Sequence, residues 1–399
     1  MCPCATPSPL LDSLPVSPSP TFPTVCVDAR GLLARHGTGV ATYAAGLAEA
    51  LAHASIPVER LAETAPAPPR LRRWLAALPP GARPAPLAAP GLRTGADPFR
   101  TAQVFFDLHR QFMPLHDTSP PGLMHWTYPV PLRFLGVPNI YTVHDVIPLQ
   151  RPDLSPVPPE RLRRLLRGIG RWAAHIVTVS EASRTALLAE TNWPPARVTS
   201  TGQSVSVTGA DLSAPAALGL QPSAYFLCAG TIEPRKNIAR LVAAHAASGI
   251  SAPLVLAGPD GWQAAGELQG AGPKVRRLPW LPRPALLGLL AGARAVLMPS
   301  LAEGFGLPIA EAMALGVPAL ASEDQALAEV AGGAALLADA GNTAALTAAI
   351  QALDADAALR ASLASRGLRR AEAFTPAAHA ARLLAVYGRV AGWKPTGAG

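Results

Sequence analysis

The sequence is poor in cysteine, in lysine and in long apolar runs, and each shortage excludes something. Four cysteines in 399 residues (Cys2, Cys4, Cys26, Cys228) supply neither a disulfide framework nor the close-spaced pairs of a structural zinc site. A reducing compartment, the cytoplasm, is the expected location. Lysine occurs only at 236, 274 and 394, so the excess of 34 basic over 26 acidic residues, a formal charge of +8, is almost wholly arginine. No aromatic-basic motif of the kind nucleic-acid-binding sheets carry accompanies it. The charge reads as a compositional preference, shared with the 44 prolines, and nucleic acid is not an expected partner. No stretch reaches the roughly 18 uncharged apolar residues of a membrane span, because Arg294 breaks the run from Leu286 to Leu301 and Asp339 the one from Ala331. Residues 1–23 lack the basic and apolar regions of a secretory signal and are dense in Pro and Ser, which predicts a disordered leader.

What is present folds. Hydrophobic residues make up 49% and charged residues 15%. At roughly 100 to 200 residues per domain, this length accommodates two. Short apolar runs alternate with longer helical patterns, as in α/β domains with parallel sheets. In the first half the strand candidates are Val25 to Asp28, Val104 to Asp107, Leu123 to Trp126, Asn139 to Val143 and Ile176 to Ser180. In the second half they are Tyr225 to Ala229, Leu254 to Ala257, Ala295 to Pro299, Pro318 to Ala321 and Ala335 to Ala338. Periodicity lapses between Thr208 and Pro222. The expected layout is one domain over 24–208, a linker over 209–222 and a second domain over 223–375. Ligands of such sheets sit beyond the carboxyl ends of the strands, which directs attention there.

Four segments qualify. Gly37-Thr38-Gly39 follows the first strand and precedes a helical pattern; glycines there let backbone amides approach a phosphate or sugar, or simply make a tight turn. His144-Asp145 ends the Asn139 strand, where a His can donate to a sugar hydroxyl or stabilise positive charge and Asp145 can orient it; a strand-capping surface His is the other reading. In Gly230-Thr231-Ile232-Glu233-Pro234-Arg235-Lys236-Asn237 two adjacent cations open a helix, where the dipole disfavours them unless an anion such as a diphosphate binds. The fourth segment, Glu303-Gly304-Phe305-Gly306-Leu307-Pro308-Ile309-Ala310-Glu311, places two carboxylates around a Gly-rich loop and the first turn of a helix. They can accept hydrogen bonds from two hydroxylated parts of one ligand whose phosphates lie over the loop amides.

Glu303 and Glu311 form an E-x7-E element that resembles the motif of retaining glycosyltransferases of family 4, which are built as two facing Rossmann-like domains, the GT-B fold. The other segments look like that family's glycine loop, active-site strand end and donor-phosphate turn, in the same order. The resemblance implies that His144, Arg235, Lys236 and Glu303 are catalytic. Arg235 and Lys236 would neutralise the donor diphosphate in place of a divalent metal, so that no metal or other cofactor is needed. Glu311 would hold the ribose, and Glu303 with Gly304, Phe305, Gly306 and Leu307 the sugar. Gly37, Gly39, Gly230 and Thr231 would complete the donor site, Gly39 and Asp145 would face the acceptor, and a last helix within 376–399 would cross back to the first domain. Many relatives carry Arg directly after the glycine of the phosphate turn, whereas here it is Thr231. That variant resembles bacterial mannosyl- and rhamnosyltransferases of surface polysaccharides, implying GDP-mannose as donor and a glycan or polyprenyl-diphosphate-linked oligosaccharide as acceptor. The alternatives are a UDP- or other GDP-sugar such as rhamnose on a soluble acceptor, a sugar-nucleotide epimerase, or a non-catalytic nucleotide-sugar or glycan-binding relative. Two arginine-rich amphipathic segments, Arg70 to Leu78 and Arg161 to Arg171, suit peripheral contact with an anionic membrane, or else pack as ordinary surface helices.

Overall fold

A computed structural model describes residues 22–30, 39–63 and 69–392. Gly37, Thr38, most of the expected leader and the residues from 393 onward lie outside them.

Two largely parallel sheets organise the chain. The second has six strands in the spatial order Val275–Leu278, Leu254–Ala257, Phe226–Ala229, Ala295–Met298, Ala319–Ser322, Leu336–Ala338, all parallel. Numbered along the chain from Phe226, this is 3-2-1-4-5-6, the Rossmann order, whose switch point lies between Phe226–Ala229 and Ala295–Met298. These two strands are buried along their whole length, as continuous apolar runs in a sheet covered on both faces must be. The first sheet has eight strands. Val25–Asp28 lies at its centre between Leu123–Trp126 and Val58–Glu63, with Asn139–Val143 and His175–Thr178 following beyond Leu123–Trp126.

The expected strand at Val104 to Asp107 is instead part of the helix Pro98–His109. Thr101, Ala102, Phe105 and Phe106 form its buried stripe at helical spacing, so the apolar run Val104-Phe105-Phe106 is one face of a longer pattern. Strands at Val58–Glu63, Leu92–Gly95, Met113–His116 and Val275–Leu278 went unread because charged residues interrupt them or proline sits inside them. Within the expected linker, Ala214–Ala217 forms a short helix against the helix Arg283–Gly292, where a Cβ on Gly288 would collide with the Asp211 carbonyl.

The helix Pro376–Ala391 packs against Gly39–His53 at the first domain. Tyr387 Oη pairs with His125 Nδ1 at 2.6 Å, and Arg382 Nε donates to the Thr201 carbonyl at 2.6 Å. The two arginine-rich segments diverge. Helix Pro159–Trp172 turns Leu162, Leu166 and Ile169 into the first core, so its apolar stripe cannot meet lipid. Helix Arg70–Ala77 buries only Ala77 and leaves Leu71 67%, Trp74 46%, Leu75 50% and Leu78 39% exposed.

Candidate active site

The carboxyl ends of the two sheets face each other across a cleft of about 560 Å³. On the second-domain side it opens at the switch point. Gly230 and Gly258 end adjacent strands in left-handed conformation (φ 138° and 150°), and a Cβ on Gly258 would overlap the Gly230 backbone. This close approach requires glycine and leaves the strand ends open to a ligand. Beyond Gly230 the chain makes a 3-10 turn, Pro234–Lys236, and enters the helix Ile238–Ala247 through Asn237 in left-handed conformation (φ 58°). The Asn237 amide donates to the carbonyls of Pro299 and Ala340 at 3.0 and 2.9 Å, tying the turn to the Gly-rich loop.

That turn aims both cations at Glu303. Lys236 Nζ lies 2.7 Å from Glu303 Oε1 and Arg235 Nη1 lies 2.6 Å from Oε2. Arg235 also pairs with Glu233 at 2.6 Å and donates to the Ala302 carbonyl at 3.2 Å. The expected dipole penalty is therefore answered within the protein: Glu233 and Glu303 balance Arg235 and Lys236, and the cations precede the helix proper. Burial pushes the Glu303 carboxyl upward, but the two cations outweigh it and hold the group at about 2, so it is ionised at neutral pH. Glu311, buried one turn into the helix Leu307–Ala314, shows the opposite balance. Burial raises its pKa against a single cation, Arg283, whose Nη1 sits 2.5 Å from Oε1. Arg283 Nη2 also donates to the Ser206 carbonyl at 3.2 Å. Phe305 lines the cleft while its ring packs edge-on against Phe374 at 5.3 Å, so the ring belongs to the core.

His144 comes from the first domain. Its Nε2 is 2.8 Å from the Thr127 carbonyl, which can only accept, so Nε2 carries the proton. Burial lowers the ring's pKa, and in the neutral form Nδ1 is an acceptor. Asp145 does not orient it: its Oδ1 accepts from the Ile147 amide at 3.1 Å. The orienting group is Thr127, fixed in turn by Asp28, which accepts from the Thr127 amide at 2.5 Å and hydroxyl at 2.9 Å. Burial raises Asp28 to about 6, with the Thr127 bonds opposing. The Tyr43 ring meets His144 edge to face at 4.8 Å and its hydroxyl pairs with Thr142 at 2.9 Å.

The cleft thus gathers Gly39, His144, Asp145, Gly230, Thr231, Arg235, Lys236, Glu303, Gly304, Phe305, Gly306, Leu307 and Glu311. Unread in the sequence were Arg283, Asn237, Thr127 and Asp28. Only Asn237 carried a local signal, its tolerance of left-handed backbone.

Two Rossmann-like domains closing on such a cleft are the architecture of GT-B glycosyltransferases. Residues 37–202 match Glycosyltransferase Family 4 and residues 215–370 match Glycosyl transferases group 1. The chain belongs to the family 4 glycosyltransferases. Over 254 residues it is 33% identical to the O-antigen chain mannosyltransferase B of Escherichia coli, a match covering 59% of this chain and 66% of that protein. Over 107 residues it is 44% identical to the MMP alpha-(1->4)-mannosyltransferase of Mycolicibacterium hassiacum, covering 26% of each. The matched region is thus just under two thirds of the first relative's length and about a quarter of the second's. Among solved structures, sucrose-phosphate synthase from Thermosynechococcus elongatus superposes with a TM-score of 0.71 at 21% identity, covering 92% of this chain and 99% of that one. Anabaena HepE in complex with UDP and glucose gives 0.65 at 16%, covering 92% and 100%. At these identities the likeness is one of fold.

Proposed function

We propose that the protein is a retaining hexosyltransferase that moves mannose from GDP-mannose to a glycan or polyprenyl-diphosphate-linked oligosaccharide in surface polysaccharide biosynthesis. The observation that carries the reading is the Arg235, Lys236 and Glu303 cluster at the Rossmann switch point with His144 opposite. The mannosyltransferase relatives favour mannose over the other hexoses.

A donor diphosphate would compete with Glu303 for Arg235 and Lys236, releasing Glu303 to accept from hydroxyls of the sugar. As the anomeric bond breaks, charge grows on the diphosphate, and the two cations stabilise it without reorganising. They would do the work of a divalent metal, so the reaction is proposed to run without one. The ribose hydroxyls can donate to Glu311. Neutral His144 turns an electron-rich nitrogen toward the sugar, where it can accept a hydroxyl proton and stabilise an oxocarbenium-like transition state. The leaving diphosphate then helps deprotonate the acceptor on the same face, which keeps the anomeric configuration.

Among the described residues no helix is long and apolar enough to cross a membrane. We place the enzyme at the inner face of the cytoplasmic membrane through helix Arg70–Ala77, whose exposed Leu71, Trp74 and Leu75 lie beside Arg70 and Arg72.

Thermal melting against a panel of nucleotide sugars tests the donor. GDP-mannose at roughly 100 times its dissociation constant stabilises the fold by about 2.7 kcal/mol. No shift with any GDP-sugar, beside a clear shift with a UDP-sugar, contradicts the assignment.

A further inference from the structure

The helix Glu181–Glu190 belongs to the first domain, yet the second domain completes its N-terminus. Ser180 caps the Ser183 amide at 3.0 Å, which leaves the amides of Glu181 and Ala182 to find other partners. Glu329, from the helix Gln325–Ala331 beyond the fifth strand of the second sheet, takes both, one on each carboxylate oxygen at 2.8 Å. The helix dipole favours a negative group there. Beside this contact, the Ser180 hydroxyl donates to the Gly304 carbonyl at 2.7 Å, and the single hydroxyl proton of Ser183 is shared between the carbonyls of His144 and Gly304, at 2.7 and 3.0 Å. A Cβ at position 304 would lie 2.5 Å from the His144 carbonyl oxygen, so only glycine permits this approach.

One helix N-terminus therefore grips the second domain at two points. The inner point joins the Gly-rich loop, next to Glu303, to the backbone of His144. The outer point is Glu329, which does not line the cleft. We infer that Glu329 is a positioning residue for the transfer: by closing on the Glu181–Glu190 helix it sets the domain spacing at which His144 stands opposite Arg235, Lys236 and Glu303. A solvated Glu329 and two hydrated amides are the alternative partners when the domains part, so the contact biases a hinge without locking it. The inference rests on the transferase reading for its rate readout alone.

The test uses full-length Glu329→Ala and Glu329→Gln in solution scattering and in hydrolysis of GDP-mannose. Glu329→Ala is expected to raise the radius of gyration and to lower kcat about tenfold through loss of the closed population. The KM for GDP-mannose should stay within about twofold, because Arg235, Lys236, Glu303 and Glu311, the charged groups proposed to hold the donor, all lie on the second domain. Glu329→Gln keeps one acceptor oxygen and should restore part of both the compactness and kcat. A radius of gyration and kcat equal to wild type in Glu329→Ala overturns the inference, as does a Gln variant no better than Ala. If the transferase reading itself fails, wild type hydrolyses no nucleotide sugar, and the scattering of the variants still decides the hinge.

Discussion

Glu303 is the residue on which the site's charge turns. Buried, it would resist ionisation, and Arg235 and Lys236 reverse that. Its contribution to stability is present above the ordinary carboxylate value of 4.5 and is lost as pH falls from there toward about 2. Asp28 runs the other way. Raised from 3.8 to about 6, it favours the fold at low pH, and that contribution is lost as pH rises through this window. Asp28→Asn can keep both Thr127 bonds, its carbonyl accepting from the amide and its NH₂ donating to the hydroxyl. It should therefore melt above wild type at pH 7.5, by on the order of 3 kcal/mol at most, with the advantage vanishing near pH 4; a pH-independent difference contradicts the titration. Lys236→Ala should cost on the order of 10² to 10³ in turnover, as loss of a transition-state electrostatic group does. Turnover near wild type would remove Lys236 from the catalytic set. His144, Arg235, Lys236, Glu303 and Glu311 were legible because each lies at a strand end or in a spaced motif. Thr127 and Asp28 were not: they stand 99 residues apart in sequence and meet only in the folded sheet. Arg283 is likewise 28 residues from Glu311, and no local spacing announces the pair.

Among the elements, the two arginine-rich helices show what periodicity can and cannot decide. Both have an apolar stripe beside cations, and sequence alone could not say whether a stripe faces core or solvent. Packing separates them, since Leu162, Leu166 and Ile169 enter the core whereas Leu71, Trp74 and Leu75 stay exposed. Paired Trp74→Ser and Leu75→Ser substitutions should abolish flotation with anionic liposomes and leave the melting temperature near wild type, because both side chains are about half exposed. Flotation equal to wild type, or no flotation of wild type, rejects this helix as the contact. The C-terminal helix joins the fold through Tyr387, whose hydroxyl meets a His125 that burial keeps neutral by lowering it to about 3. Tyr387→Phe leaves that buried nitrogen unpaired and should cost about 1 to 3 kcal/mol in urea unfolding. An unchanged midpoint would mean the pair contributes nothing.

At the scale of the whole molecule, alternating runs sufficed for the α/β class because fully buried parallel strands stand out as short apolar blocks. Strands carrying charge or proline, such as Val58–Glu63 and Met113–His116, did not stand out, because those residues interrupt the apolar run even though Leu61, Met113 and Leu115 are buried in the core. Buried Arg93, paired with Glu59 and Asp117, is one such case. Part of the net charge of +8 sits on the arginine-rich helices Arg70–Ala77 and Pro159–Trp172, whereas Arg235 and Lys236 in the cleft are balanced by Glu233 and Glu303. The proposed function requires one thing of the whole, that two domains bring a metal-independent, configuration-retaining site together. Real-time proton NMR of GDP-mannose hydrolysis by the intact protein in excess EDTA tests it most directly. The account predicts that α-mannose appears first, before mutarotation, at a rate EDTA does not change; β-mannose appearing first, or hydrolysis that stops on adding EDTA, would contradict it.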